Sequence, residues 1–160
     1  MRIAERRPRR AAAVAGLIVA AGLTACGGGA SSISAQDFQA EANRVCRDAE
    51  REINRIQAVQ ARTAAQAEKQ AAALADFSQQ ALSDLRRIEP PAELKPGYER
   101  YLRSRQRAIG LIEDARDAAA SSDVGAYARA KTRLAQQQPQ RRALALRAGL
   151  RDCSRPTLPG

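Results

Sequence analysis

An all-α fold follows from three features of the sequence. Alanine, arginine, glutamine, glutamate and leucine dominate it, and these are strong helix formers. Apolar residues recur at steps of three and four in four separate stretches, the period of a helix with one buried face. The 7 prolines and 10 glycines gather at a few places, several of them between those stretches. Together these predict an up-down bundle of about four amphipathic helices.

The first helix starts behind Ser34, which with Asp37 three residues on forms a variant of the capping box. Its stripe runs Phe38, Ala42, Val45, Ala49, Ile53, Ile56 and Val59. Thr63-Ala64-Ala65-Gln66 is a second capping box, and the next stripe runs from Ala67 through Leu74 and Phe77 to Ile88. One unbroken rod would leave half its apolar stripe uncovered, so a turn is expected near residues 61–64. Glu89-Pro90-Pro91 ends the second helix, because a residue before proline is pushed out of the helical region. Pro91 starts a short turn through Leu94, and Pro96 sits where proline favours a helix start. The third stripe comprises Tyr98, Leu102, Arg105, Ile109, Ile112, Ala115 and Ala119. Ser121-Ser122-Asp123 stops it, and Asp123 caps a fourth helix carrying Tyr127, Ala130 and Leu134. Pro139 is expected to kink or break that helix, and a last helical piece with Leu144 and Ala148 ends at Gly149.

The N-terminus reads differently. Residues 1–10 carry five arginines against Glu5, and residues 11–25 are uncharged and almost wholly apolar. That run is too short for a membrane span, which needs about 20 residues, and suits a signal peptide. Ordinary cleavage after Ala25 wants a small residue at −3, where Leu23 stands. Leu23-Thr24-Ala25-Cys26 instead has the form of a bacterial lipobox, which predicts cleavage before Cys26 and lipidation of its side chain. Gly27-Gly28-Gly29-Ala30-Ser31-Ser32 then reads as a flexible tether. The expected organisation is a signal peptide over 1–25, lipidated cysteine and tether over 26–34, the helical bundle over 35–155 and a tail over 156–160. The expected location is the extracytoplasmic face of the cell membrane, held by acyl chains on Cys26.

Besides Cys26 the chain has Cys46 and Cys153. An even pair in an exported protein predicts a disulfide pinning the C-terminal end to the first helix. In the chain-entropy model a loop of about 100 residues is worth up to about 4.7 kcal/mol.

The formal charge is +10, and the C-terminal part of the bundle concentrates it. Residues 129–155 hold eight basic residues against Asp152 alone. Arg141, Arg142, Arg147, Arg151 and Arg155 are therefore candidates for contact with a membrane surface or another anion. Each cation near an anionic surface contributes about 1 kcal/mol within a Debye length. The competing expectation is that they pair with Asp48, Glu50 and Glu52 on the first helix.

Catalytic motifs are absent from the sequence. With no His, the usual base of a nucleophilic triad and the usual metal ligand are missing. The acidic groups Asp48, Glu50 and Glu52, and Glu113, Asp114 and Asp117, are flanked by Arg47, Arg51, Arg55 and Arg116, the pattern of a solvated, salt-bridged helix face. Arg100, Arg103 and Arg107 near Tyr98 and Tyr101 could suggest nucleic acid, but both tyrosines lie on or near the core stripe. Arg105 sits within an apolar stripe, so its stem is expected to pack and its head to snorkel out or meet a carboxylate, with a lining role in a small-ligand groove as the alternative. No enzyme activity, cofactor, metal or nucleic-acid partner is expected. The expected partners are the membrane through Cys26, anionic lipid headgroups, and an envelope protein or a small ligand held between helices.

The lipobox, Phe38 with Cys46, Ile88-Glu89-Pro90-Pro91-Ala92-Glu93-Leu94, Tyr98 with Tyr101-Leu102, and Gly149-Leu150 with Cys153 together resemble small helical lipoproteins of actinobacteria. The resemblance spans roughly residues 34–153. It implies architecture and location, and no established activity.

Overall fold

The computed structural model describes residues 33–155. The signal-peptide, lipobox and tether expectations, Cys26 included, lie outside the described residues, as does the tail over 156–160. Four helices form: α1 (Ala35–Gln57), α2 (Ala64–Arg87), α3 (Lys95–Ala120) and α4 (Val124–Arg147), followed by the 3-10 turn η1 (Asp152–Ser154). Consecutive helices pack against each other as an up-down bundle.

The caps fall where local chemistry puts them. Ser34 accepts from the Asp37 N–H at 3.1 Å and donates to the Asp37 carboxylate at 2.6 Å. Thr63 accepts from the Gln66 N–H at 3.2 Å, while Gln66 Oε1 accepts from the Arg62 N–H at 2.8 Å. Each cap satisfies an N–H that the helix cannot. The first two helices are thus separate, although α1 ends at Gln57 and Val59, assigned to its stripe, sits 74% exposed in the turn. The apolar period simply outlasts the helix.

α3 ends with Ser122 in the left-handed region at φ 56°. The Asp123 N–H donates to Ala118 O at 2.8 Å, and the Asp123 side chain then caps α4 through the Ala126 N–H. α4 runs through Pro139 without a break, so of the two expected outcomes, kink or break, the break does not occur. Proline removes the donor for the Ala135 carbonyl, but Ala135 and Pro139 both face solvent, so water can take the vacated bond. α4 stops in a Schellman turn: Gly149 has φ 75°, its N–H donates to Leu146 O, and the Leu150 N–H donates to Ala145 O.

That turn reverses the chain. Residues 149–155 then run along α1 in the same direction as α1. Gly149 lies against Gln39, the Asp152 N–H donates to Asn43 Oδ1 at 2.9 Å, and Arg155 reaches Glu50. A Cβ on Gly149 would collide with the Gln39 side chain, so position and dihedral both require glycine. Cys153 is bonded to Cys46, with Cα atoms 5.0 Å apart. This strap, rather than α4, is the backbone neighbour of α1 on that side: no Cα of α1 comes within 8 Å of an α4 Cα.

The largest buried side chains collect at the strap end. Phe38 meets Tyr98 edge-on with centroids 4.9 Å apart, Tyr101 lies 6.5 Å from Tyr98, and Leu85, Ala145 and Leu150 close around them. The Tyr98 hydroxyl donates to Leu85 O at 2.7 Å, near the end of α2. Burial pushes the ionisation of Tyr98 well above the ordinary phenol range.

Candidate functional site

At the opposite end the bundle is not filled. A cleft of about 250 Å³ opens among the last turn of α1, the first half of α2, the second half of α3 and the first half of α4. Ala67, Ala71 and Leu74 line it from α2, and Leu111, Ile112 and Ala115 from α3. Tyr127, Lys131 and Leu134 line it from α4. These positions share faces because each set is spaced by three or four residues. Alanines on α2 and α3 give little bulk, and α4 does not approach α1 closely enough to close the gap. A second recess of about 200 Å³ shares Ala61, Ala67 and Tyr127 with it and carries the exposed Val124.

The polar groups of the cleft are unevenly matched. Gln70 Nε2 donates to Ile56 O at 2.9 Å and Val59 O at 2.7 Å, tying the end of α1 to α2. Gln57 lines the cleft with a buried Oε1 that has no donor, and Asn54 Oδ1, one turn earlier on α1, is in the same state. Such orphaned acceptors are uncommon in folded proteins. Lys131 Nζ lies 5.8 Å from the centre of the Tyr127 ring, a cation–π distance.

Two arginines, Arg105 and Arg141, do not line the cleft. Arg141 is half-buried, and its guanidinium reaches back to the carbonyl of Leu134, a cleft residue, at 3.4 and 3.5 Å. Burial lowers its pKa, and the charge of nearby Arg105 lowers it further. Both guanidiniums also act on the fully buried Tyr101, whose ionisation is raised chiefly by desolvation. The Tyr101 hydroxyl stands 3.8 Å from Cys46 Sγ. Among the described residues neither Arg105 nor Arg141 has a carboxylate partner, so Arg105 does not meet the carboxylate that was one expectation for it, and it does not line the cleft either.

The basic candidates divide. Arg141 turns inward, as described. Arg142 donates to Ser154 O at 2.7 Å and ties α4 to the strap. Arg155 pairs with Asp152 at 2.8 Å and reaches Glu50 at 4.0 Å. Arg147 and Arg151 are exposed. Pairing with α1 therefore takes in Arg155 and Glu50 only. Asp48 and Glu52 are held by Arg44, Arg51 and Arg55 of their own helix, and Asp152 by Arg47 at 2.6 Å. Asp117 pairs with Arg116, and Glu113 accepts from Gln79 Nε2. The first acidic cluster is salt-bridged, and in the second only Asp117 is in an ion pair. The Tyr98 and Tyr101 rings are 1% and 0% exposed, so neither offers a stacking face to a base.

Sequence periodicity assigned Leu74, Ile112, Tyr127 and Leu134 to helix stripes, but not to a cleft. Whether a stripe is covered depends on helix spacing, which no local pattern encodes.

Among the described residues no group of three or more His, Cys, Asp or Glu could hold a metal, and no helix is long and apolar enough to cross a membrane. No protein-family model matches the chain, and no curated protein or solved structure matches it either.

Proposed function

We propose that the chain is a lipid-anchored, extracytoplasmic helical module that binds a ligand without transforming it. The anchor is the acylated Cys26. The basic residues 1–10, the apolar run 11–25 and Leu23-Thr24-Ala25-Cys26 support it. A disulfide between Cys46 and Cys153 is in keeping with an oxidising compartment.

The observation that carries the binding reading is the cleft. It is a mostly apolar recess with a small number of polar groups, one of which, Gln57 Oε1, lacks a donor, and small-molecule sites usually combine apolar walls with a few polar groups. That favours a small-ligand carrier over a scaffold for another protein. Convergent acid–base groups, which would speak for catalysis, do not line it.

Two measurements test the two halves separately. Cys26→Ala should leave an unprocessed or soluble protein in place of a membrane-bound one, read by fractionation. Unchanged membrane retention with normal processing refutes the anchor. Native mass spectrometry of the protein from its own membranes should show a non-covalent species that Ala67→Leu, which fills the cleft, does not carry. An identical spectrum for the two proteins refutes binding in the cleft.

A further inference from the structure

The strap follows one stripe of α1, and the stripe runs on past it. Gly149 packs on Gln39, the Asp152 N–H donates to Asn43 Oδ1 at 2.9 Å, and Arg155 meets Glu50 at 4.0 Å. Steps of three, four and seven residues carry the same face of α1 on to Asn54 and Gln57. There the pairing ends: Asn54 Oδ1 and Gln57 Oε1 are buried and have no donor. A buried acceptor in that state is costly, and a backbone N–H relieves the cost. Asn43 already accepts one from the strap.

The other bank of this track is α4. Arg142 donates from it to Ser154 O at 2.7 Å. The same α4 face continues through Gln138 to Lys131, and Lys131 lines the cleft together with Gln57. The track therefore leads from the strap into the cleft.

The residues next in the chain are Pro156-Thr157-Leu158-Pro159-Gly160. Arg155 leaves η1 extended, at φ −64° and ψ 145°, the region that a following proline imposes. Pro159 restricts Leu158 in the same way. A chain so restricted advances about 3 Å per residue, so the stretch from Cys153 to Gly160 covers about 20 Å. Along α1, Gln57 lies about 16 Å from Cys46, the bonded partner of Cys153, at the rise of a helix. Proline has no N–H to give, whereas Thr157 and Leu158 each have one.

We propose that residues 156–160 extend the strap along α1 into the cleft. The Thr157 and Leu158 N–H groups donate to Asn54 Oδ1 and Gln57 Oε1, and the Leu158 side chain packs against Leu134 and Ile112. The chain is then its own occupant of the cleft, and any ligand entering there has to displace Leu158.

Nuclear Overhauser contacts in methyl-labelled residues 31–160, whose core draws on no residue before Ile33, test this directly. The Leu158 methyls should contact Leu134 and Ile112, and dilution should leave those contacts unchanged. Deleting residues 156–160 should shift the side-chain amide signals of Asn54 and Gln57 and leave those of the Tyr98 ring in place. The deletion should also speed amide exchange in the last turn of α1 by about tenfold, the effect of uncovering most of a leucine. Unfolding midpoints confirm that the shortened chain folds, and the Leu158 contacts of the intact chain carry the test if it does not. Absence of contact between Leu158 and the cleft methyls, or unmoved Asn54 and Gln57 signals in the shortened chain, overturns the proposal. Contacts found only between differently labelled copies would assign the cleft to the tail of a second molecule and also overturn it. None of these measurements uses a ligand, so their failure leaves the reading of the cleft as a binding site standing.

Discussion

The two ends of the bundle are built from the same four helices and reach opposite outcomes. At the strap end Phe38, Tyr98, Tyr101, Leu85 and Leu150 are buried to within 1% of completion. At the other end Leu74, Ile112, Tyr127 and Leu134 are only half-buried, and Val59 and Val124 are exposed. The difference lies in what stands beside α1. Where residues 149–155 and the disulfide fill the space left by α4, the core is closed. Where they stop, it is open. Stability is therefore concentrated at one end and incompletely packed space at the other, an arrangement in which a recess can stay unfilled without endangering the fold.

Truncation on the two sides is the strongest way to break this contrast. Phe38→Ala should cost about 3–5 kcal/mol, the range for a buried aromatic. Leu74→Ala in the cleft wall should cost less than half as much, because much of its surface is already wet. Denaturant unfolding measures both, and equal costs would mean the open end is core after all.

Removing the bridge by Cys46→Ala with Cys153→Ala should cost about 2–5 kcal/mol, and its local effect sharpens the comparison. Hydrogen exchange should accelerate at residues 149–155 and the first half of α1, and stay unchanged in the first half of α2. Uniform acceleration would show that the strap supports the whole bundle and not one end.

The smallest effect is alkaline. Burial raises the ionisation of both Tyr98 and Tyr101 above the ordinary value of 10.0. The folded state therefore holds its phenolic protons more tightly than the unfolded state. Their contribution is complete below about pH 10 and is lost as pH rises beyond it. Phenolate absorbance from these two residues should appear only together with unfolding. Ionisation in a chain whose circular dichroism is still native would mean water reaches the aromatic core.

The parts legible in the sequence were those decided within a few residues. Ser34, Thr63 and Asp123 cap because a short side-chain oxygen stands just before a helical stretch. Gly149 ends α4 because it alone can take a left-handed dihedral against Gln39. The cysteine pair was legible from parity. Two local signals misled. Val59 continued a period that the helix did not, and the break that was one expectation at Pro139 does not occur in a helix whose solvent-facing side tolerates proline. The cleft was not legible, because it arises from the distance between α1 and α4, which no local pattern encodes. Arg141 turns back to the Leu134 carbonyl, a placement that only the packed bundle shows.

The bond between Cys46 and Cys153 makes a covalent ring out of most of the bundle. The turn at residues 58–63, the proline turn at 88–94 and the turn at 121–123 all fall inside that ring. A peptide bond cut at any one of them opens the ring without dividing the molecule. Both new ends remain attached to α1, and through α1 to whatever holds the N-terminus. A single proteolytic nick in an interhelical turn therefore releases nothing until the disulfide is reduced.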